Sequence, residues 1–187
     1  MSLLRFAAHG ITACAVLALA VWRTGGPGSP AAPPESPMSA ITQRALFLQL
    51  VLAQMHSPYR WGAKGSRPDP KGPRLFDCSG LVTWCLHQVG GPDWRATHNT
   101  DRLWDACKPV ASVADLQPGD LVLYGKAGDP DHVMVYVGAG VVVGASGGGS
   151  TTRTLEDAAR ADAKVKAFAK VAYRSDVLGF RRPPFVS

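Results

Sequence analysis

The chain has 187 residues, room for one domain of ordinary size but not for two. Hydrophobic residues make up 46% and charged residues 18%, which supplies a core and excludes a wholly disordered chain. The excess of 20 Lys and Arg over 14 Asp and Glu gives +6 and favours anionic surfaces; no helix-turn-helix, zinc-finger spacing or aromatic RNA-binding motif accompanies it, so no nucleic-acid partner is expected.

In chain order, Arg5 precedes an apolar run from Phe6 to Trp22 that contains Ala18-Leu19-Ala20, a small-x-small pattern. Residues 1–23 therefore read as a signal peptide or an N-terminal membrane anchor, with a possible tether through residues 3–22, and cleavage and anchoring both stay open. Residues 24–38 carry Pro27, Pro30, Pro33, Pro34 and Pro37 among Gly, Ser and Ala, the composition of an extended linker. The folded domain is expected over residues 39–187.

That domain should open with a helix from Ser39 to Met55, packed through Ile41, Ala45, Leu46, Leu48, Leu50, Val51 and Leu52 and ended by Pro58. A Gly-, Pro- and Lys-rich loop from Ala63 to Leu75 leads to a second helix beginning at Cys78. Its buried stripe is Leu81, Val82, Cys85, Leu86 and Val89, and Gly90-Gly91 stops it. An irregular stretch containing His98 and Asn99 follows. The turn Gln117-Pro118-Gly119-Asp120 feeds a strand from Leu121 to Tyr124. Strands His132 to Val137 and Val141 to Val143 flank Gly138-Ala139-Gly140, a hairpin loop. Leu155 to Val171 reads as helix, and Tyr173 to Arg182 as a last strand before Pro183. Helices first and antiparallel strands after them indicate an α+β domain.

Cys14, Cys78, Cys85 and Cys107 are too few and too uneven for a disulfide scaffold, and the absence of a CxxC pair gives no structural zinc site. A Cys85–Cys107 disulfide is conceivable in an exported domain. Only Glu35 and Glu156 represent glutamate, which argues against a paired-carboxylate glycosidase. Cys78 is the candidate nucleophile: the start of a helix offers unsatisfied N–H groups and a dipole that stabilise a thiolate. His132, opening a strand, is the candidate base, and the backbone N–H of Cys78 is placed to stabilise an oxyanion. No metal or cofactor is called for.

Four segments, Pro58-Tyr59-Arg60-Trp61-Gly62, Phe76-Asp77-Cys78-Ser79-Gly80-Leu81-Val82, Leu116-Gln117-Pro118-Gly119-Asp120-Leu121-Val122 and Asp131-His132-Val133-Met134-Val135-Tyr136-Val137-Gly138, occur in the order and spacing of a known family. In them the chain resembles the NlpC-type bacterial cell-wall cysteine peptidases, over roughly Ile41 to Arg182. The resemblance implies a papain-like fold, N-terminal helices packed on an antiparallel sheet, and hydrolysis of peptidoglycan stem peptides, commonly between D-glutamate and a diamino acid. Cys78 and His132 fall at the family's nucleophile and base. By the same analogy Tyr59 supports the oxyanion or the substrate, and Asp77 and Ser79 help to hold the free amino end of the stem. Tyr59 as core packing and Asp77 and Ser79 as helix caps are the plainer alternatives. An exported, envelope location follows from the same resemblance.

One position departs from the family's pattern. A third polar residue, often His, usually stands about twelve residues past the base to orient the imidazole, and here that position is Gly144. Ser146, two residues on and hence on the same strand face, is the preferred substitute. Asp131 is read as a solvated turn residue, and His56 and His87 as structural. Two rivals share the scaffold: an amidase or acyltransferase with the same thiolate, and a catalytically weak or inactive wall-binding module, which Gly144 would suit but the presence of both Cys78 and His132 disfavours.

Overall fold

The computed structural model describes residues 39–185. Residues 1–38, on which the expectations of a signal or anchor and of a linker fall, lie outside them. The described elements run α1 (Ala40–Ala53), β1 (Lys64–Ser66), β2 (Leu75–Phe76), α2 (Cys78–Gln88), α3 (Thr100–Ala106), β3 (Lys108–Val110), β4 (Leu121–Lys126), β5 (Asp129–Gly138), β6 (Val141–Ser146), α4 (Leu155–Arg160), β7 (Lys164–Phe168) and β8 (Val177–Arg182). Six strands form an antiparallel sheet in the order β3-β8-β4-β5-β6-β7, and β1 pairs with β2 in a separate ribbon. This is the expected α+β, papain-like arrangement of N-terminal helices on an antiparallel sheet.

The core is divided by the sheet. Leu121, Leu123, Val133, Val135, Val143 and Ala145 pack under the helices with Phe47, Leu81, Cys85 and Leu86. Alternate residues Val122, Tyr124, Met134 and Val142 face the other way and close a second cluster with Leu116 and Val171. The expected stripe of α2 is buried throughout, and each large aliphatic side chain in it contributes roughly 1.5–3 kcal/mol by leaving water.

Several local expectations are corrected. α1 buries Gln43, Phe47 and Val51, a clean i, i+4, i+8 line, while Ile41, Leu46 and Leu52 are exposed. Gln43 sits in that line because its amide donates to the Val89 carbonyl at 2.9 Å, tying α1 to the end of α2. The Leu155 to Val171 segment is not one helix. α4 ends at Arg160, Asp162 takes a left-handed φ of 48°, and β7 follows and pairs with β6. The stretch after α2 is not wholly irregular either: Asn99 caps α3 by accepting from the Arg102 N–H at 3.1 Å, and β3 adds an edge strand against β8. The last strand begins at Val177 rather than Tyr173. Cys85 and Cys107 are both free thiols, each packed as a small apolar residue instead of forming a disulfide.

Candidate active site

α2 presents Cys78 at its first turn because the residues before it build a firm cap. Asp77 accepts from the Gly80 N–H at 2.6 Å and from the Ser79 hydroxyl at 3.1 Å, the short polar side chain replacing a missing helical partner. The Asp77 N–H donates to the Ala63 carbonyl at 2.8 Å, so the helix start is pinned to the preceding loop. Position 80 must be glycine: a Cβ there would come within 2.1 Å of the Ala63 oxygen.

The thiol opens onto a cleft of about 430 Å³. Its walls are Trp61, Gly62 and Lys64 on one side, Asp77, Cys78 and Ser79 at the helix start, Asn99, Thr100 and Asp101 at the start of α3, and Asp129, Pro130 and Asp131 at the start of β5. The loop that leads to α2 reaches the cleft through Lys64, which also donates to the His98 carbonyl at 3.2 Å. His98 itself stacks on Trp94 and bonds to the Thr97 hydroxyl, so it buttresses the loop. A second hollow, of about 420 Å³ and lined by residues including His56, Leu155 and Lys164, has no cysteine, serine or threonine in its lining.

Burial pushes the Cys78 thiol up to about 12, with the Asp77 carboxylate adding to it, while the backbone N–H groups of Val133, Ser79 and Cys78 pull the other way. The Val133 contact sets the sulfur against β5 one residue from His132. The imidazole is only 9% exposed, and burial together with the Arg174 charge lowers it to about 4, against a smaller opposing effect of Asp176. Both shifts favour the neutral forms. Among the described residues no hydrogen bond joins the thiol to the imidazole.

Tyr59 is 2% exposed, held by its N–H to the Ala163 carbonyl at 3.0 Å, and its ring fills the space over Gly148, where a Cβ would approach within 2.3 Å. Burial, then Cys78 and Asp77, raise its phenol, so the hydroxyl shares the electrostatic neighbourhood of the nucleophile. Ser146 is buried at the end of β6 but does not bond to His132. Its polar neighbour is Tyr173, whose hydroxyl is buried without a well-formed hydrogen bond. Asp131 lies at the cleft wall and pairs with Arg174 at 3.0 Å, and Arg174 also holds Asp176 and lies over the Tyr124 ring. The structure thus brings Cys78, Asp77 and Ser79 together at one cleft, with Tyr59 buried in electrostatic reach of the thiol and His132 next in the chain to the wall residue Asp131, and it gives Ser146 no bond to the imidazole.

Sequence reasoning missed the partner that His132 does have. Its Nε2 lies 3.2 Å from the Met134 Sδ. The signal was available in the period of a strand, since residues i and i+2 share a face, but an aliphatic-looking methionine in a run of valines reads as core. Arg174, which sets much of the charge around the imidazole, was equally silent.

A papain-like α+β domain with a cysteine at a helix start beside a strand histidine is the class defined by this fold and cleft. The NlpC/P60 family model matches residues 56–168, and the chain belongs to that family. A probable endopeptidase of Mycobacterium tuberculosis is 34% identical over 128 residues, 68% of this chain and 30% of the relative, so the chain spans under a third of that protein's length. Two solved structures share the fold. The peptidoglycan hydrolase RipB of M. tuberculosis superposes with a TM-score of 0.56 at 24% identity, over 79% of this chain and 67% of that one. The P60 domain of an antigen from M. avium subspecies paratuberculosis gives 0.55 at 22%, over 79% and 98%.

Proposed function

We propose that the domain is a cysteine hydrolase that cleaves amide bonds in peptidoglycan stem peptides, of the D-glutamyl–diamino acid endopeptidase type, acting in the cell envelope after export. The observation that carries this reading is the placement of Cys78: a thiol at a capped helix start, lining a cleft and receiving backbone N–H groups. His132 takes the thiol proton as the sulfur attacks the amide carbon. The carbonyl oxygen becomes an oxyanion near the Cys78 N–H, with Tyr59 as a further donor. The imidazolium then protonates the leaving amine, and water, activated by the same imidazole, releases the acyl group from the sulfur. Asp77 and Ser79 serve the stem's amino end at the cleft floor. The probable-endopeptidase relatives and the hydrolase fold support the same chemistry.

A second reading, a weak or inactive wall-binding module, is favoured by the missing thiol–imidazole hydrogen bond and by shifts that favour the neutral pair. Digestion of purified peptidoglycan by the chain, with product masses compared against Cys78→Ala and His132→Ala, separates the two. New stem fragments absent from both variants are expected, and their masses name the bond. Retained binding without cleavage across several wall types would sink the hydrolase reading.

A further inference from the structure

We propose that Met134 is the positioning residue of His132, its thioether standing where a polar side chain would otherwise orient the ring, and that Gly144 is the residue that makes room for it. The inference rests on the hydrolase reading for its consequence in catalysis, but not for the geometry.

Three observations on neighbouring strands carry it. His132 and Met134 are two apart on β5 and share a face, and the Nε2 to Sδ separation is 3.2 Å, the one side-chain hydrogen-bond contact of the imidazole among the described residues. Next, β5 and β6 pair with Val135 opposite Val143, which brings Met134 alongside Gly144. A Cβ at position 144 would lie 2.6 Å from the Met134 Sδ and 3.3 Å from its Cε. Any side chain there would therefore displace the sulfur, so methionine at 134 and glycine at 144 are mutually dependent. Finally, Ser146, the other candidate on that face of β6, lies beside Tyr173 and makes no bond to the imidazole.

A thioether has lone pairs and no proton, so it only accepts. The contact therefore places the imidazole proton on Nε2 and leaves Nδ1 as the basic nitrogen, free to take a proton. Because sulfur is a weak acceptor, it fixes the tautomer and the ring plane without stabilising the imidazolium as a carboxylate would. Packing holds the sulfur in place: Met134 is fully buried in the cluster of Val122, Tyr124 and Val142.

The test uses Met134→Leu, which keeps bulk and removes the acceptor, and Met134→Gln, which returns an acceptor on an unbranched stem of similar length. Long-range ¹H–¹⁵N spectra of the His132 ring, identified by its loss in His132→Ala, report the tautomer without any substrate. The wild type should show the proton on Nε2, Met134→Leu a mixture, and Met134→Gln a return to Nε2. Alkylation of Cys78 and kcat/KM should both fall about tenfold in Met134→Leu, with KM little changed, and recover in Met134→Gln. Gly144→Ala, which pushes the sulfur aside, should behave like Met134→Leu. An unchanged tautomer and alkylation rate in Met134→Leu would overturn the proposal, and so would faster alkylation, which would mean that the sulfur holds the ring away. If the wild type cleaves no peptidoglycan while the spectra behave as expected, it is the hydrolase reading that fails and the positioning role that stands.

Discussion

The two ends of β4 handle a buried ionisable group in opposite ways. At its start, Asp120 is fully buried and saturated: Arg182 grips both carboxylate oxygens at 2.9 and 2.7 Å, Arg44 adds a bond at 3.1 Å, and the Gln117 N–H a fourth at 2.8 Å. Burial alone would raise that carboxyl, but these donors hold it below the usual aspartate range. At the other end, opposite Tyr124, His132 has only a thioether, and burial drives it neutral. The first arrangement locks α1, the turn before β4 and β8 together. The second leaves a buried imidazole with little to stabilise its charged form. Charge is compensated where it ties three elements together, and left uncompensated at His132.

Breaking the saturated end should have the largest effect on stability. Arg182→Met removes two of the four donors and leaves a carboxylate at 0% exposure with Arg44 and one N–H, a change expected to cost about 3 kcal/mol. Arg44→Met removes a single bond to Asp120 and should cost distinctly less. Urea denaturation midpoints at neutral pH check both. Equal, small losses would mean that water replaces the arginines freely and that the contrast between the two ends is not energetic.

Acid titration separates the ends by pH window. The folded-state value of His132, about 4, lies below the ordinary histidine value of 6.5, so between those limits the unfolded chain binds a proton that the folded one refuses. Stability contributed by this group is therefore present above pH 6.5 and lost as pH falls toward 4, by about 3 kcal/mol at most, at 1.36 kcal/mol per unit. Asp120 is also depressed, but from 3.8, so its contribution survives that window and is lost only at lower pH. His132→Asn should flatten the upper window alone. A stability curve for the wild type that is level from pH 7 to 4.5 would show the imidazole to be charged and solvated.

The contrast also explains what was legible in the sequence. α2 and the hairpin of β5 and β6 were readable because their apolar patterns end at glycines and their polar residues cap or turn the chain. Cys78, Asp77 and Ser79 come from one contiguous segment, so their meeting at a helix start needed no tertiary knowledge. Asp120 was read only as a turn residue, since Arg44 and Arg182 reach it from 76 and 62 residues away. The Ala-rich segment that splits into α4 and β7 hid its break at Asp162, where the left-handed backbone reverses the chain and the short alternation Lys164-Val165-Lys166 begins a strand. Gly144 was noticed as a gap, but Met134 reaches that gap through the pairing of β5 with β6, a register that the strand period of β5 alone does not give.

The smallest effect on stability, and the sharpest on the thiol, should come from Asp77→Asn. Asparagine caps a helix about as well as aspartate, so the bond to the Gly80 N–H persists and stability should change by less than about 0.5 kcal/mol. The carboxylate charge, however, is the second cause, after burial, of the raised Cys78 value, and its removal should let the thiol ionise at lower pH. The rate of Cys78 alkylation, read peptide by peptide so that the more deeply buried Cys85 and Cys107 do not contribute, should then climb at lower pH than in the wild type. Peptide hydrolysis would divide the remaining possibilities: a faster acylation step with unchanged KM means that Asp77 acts only through the thiol, while a large rise in KM beside the faster alkylation means that the same carboxylate also holds the substrate's amino group. An alkylation profile identical to the wild type would show that the backbone N–H groups of Cys78, Ser79 and Val133, rather than the cap's charge, govern the nucleophile.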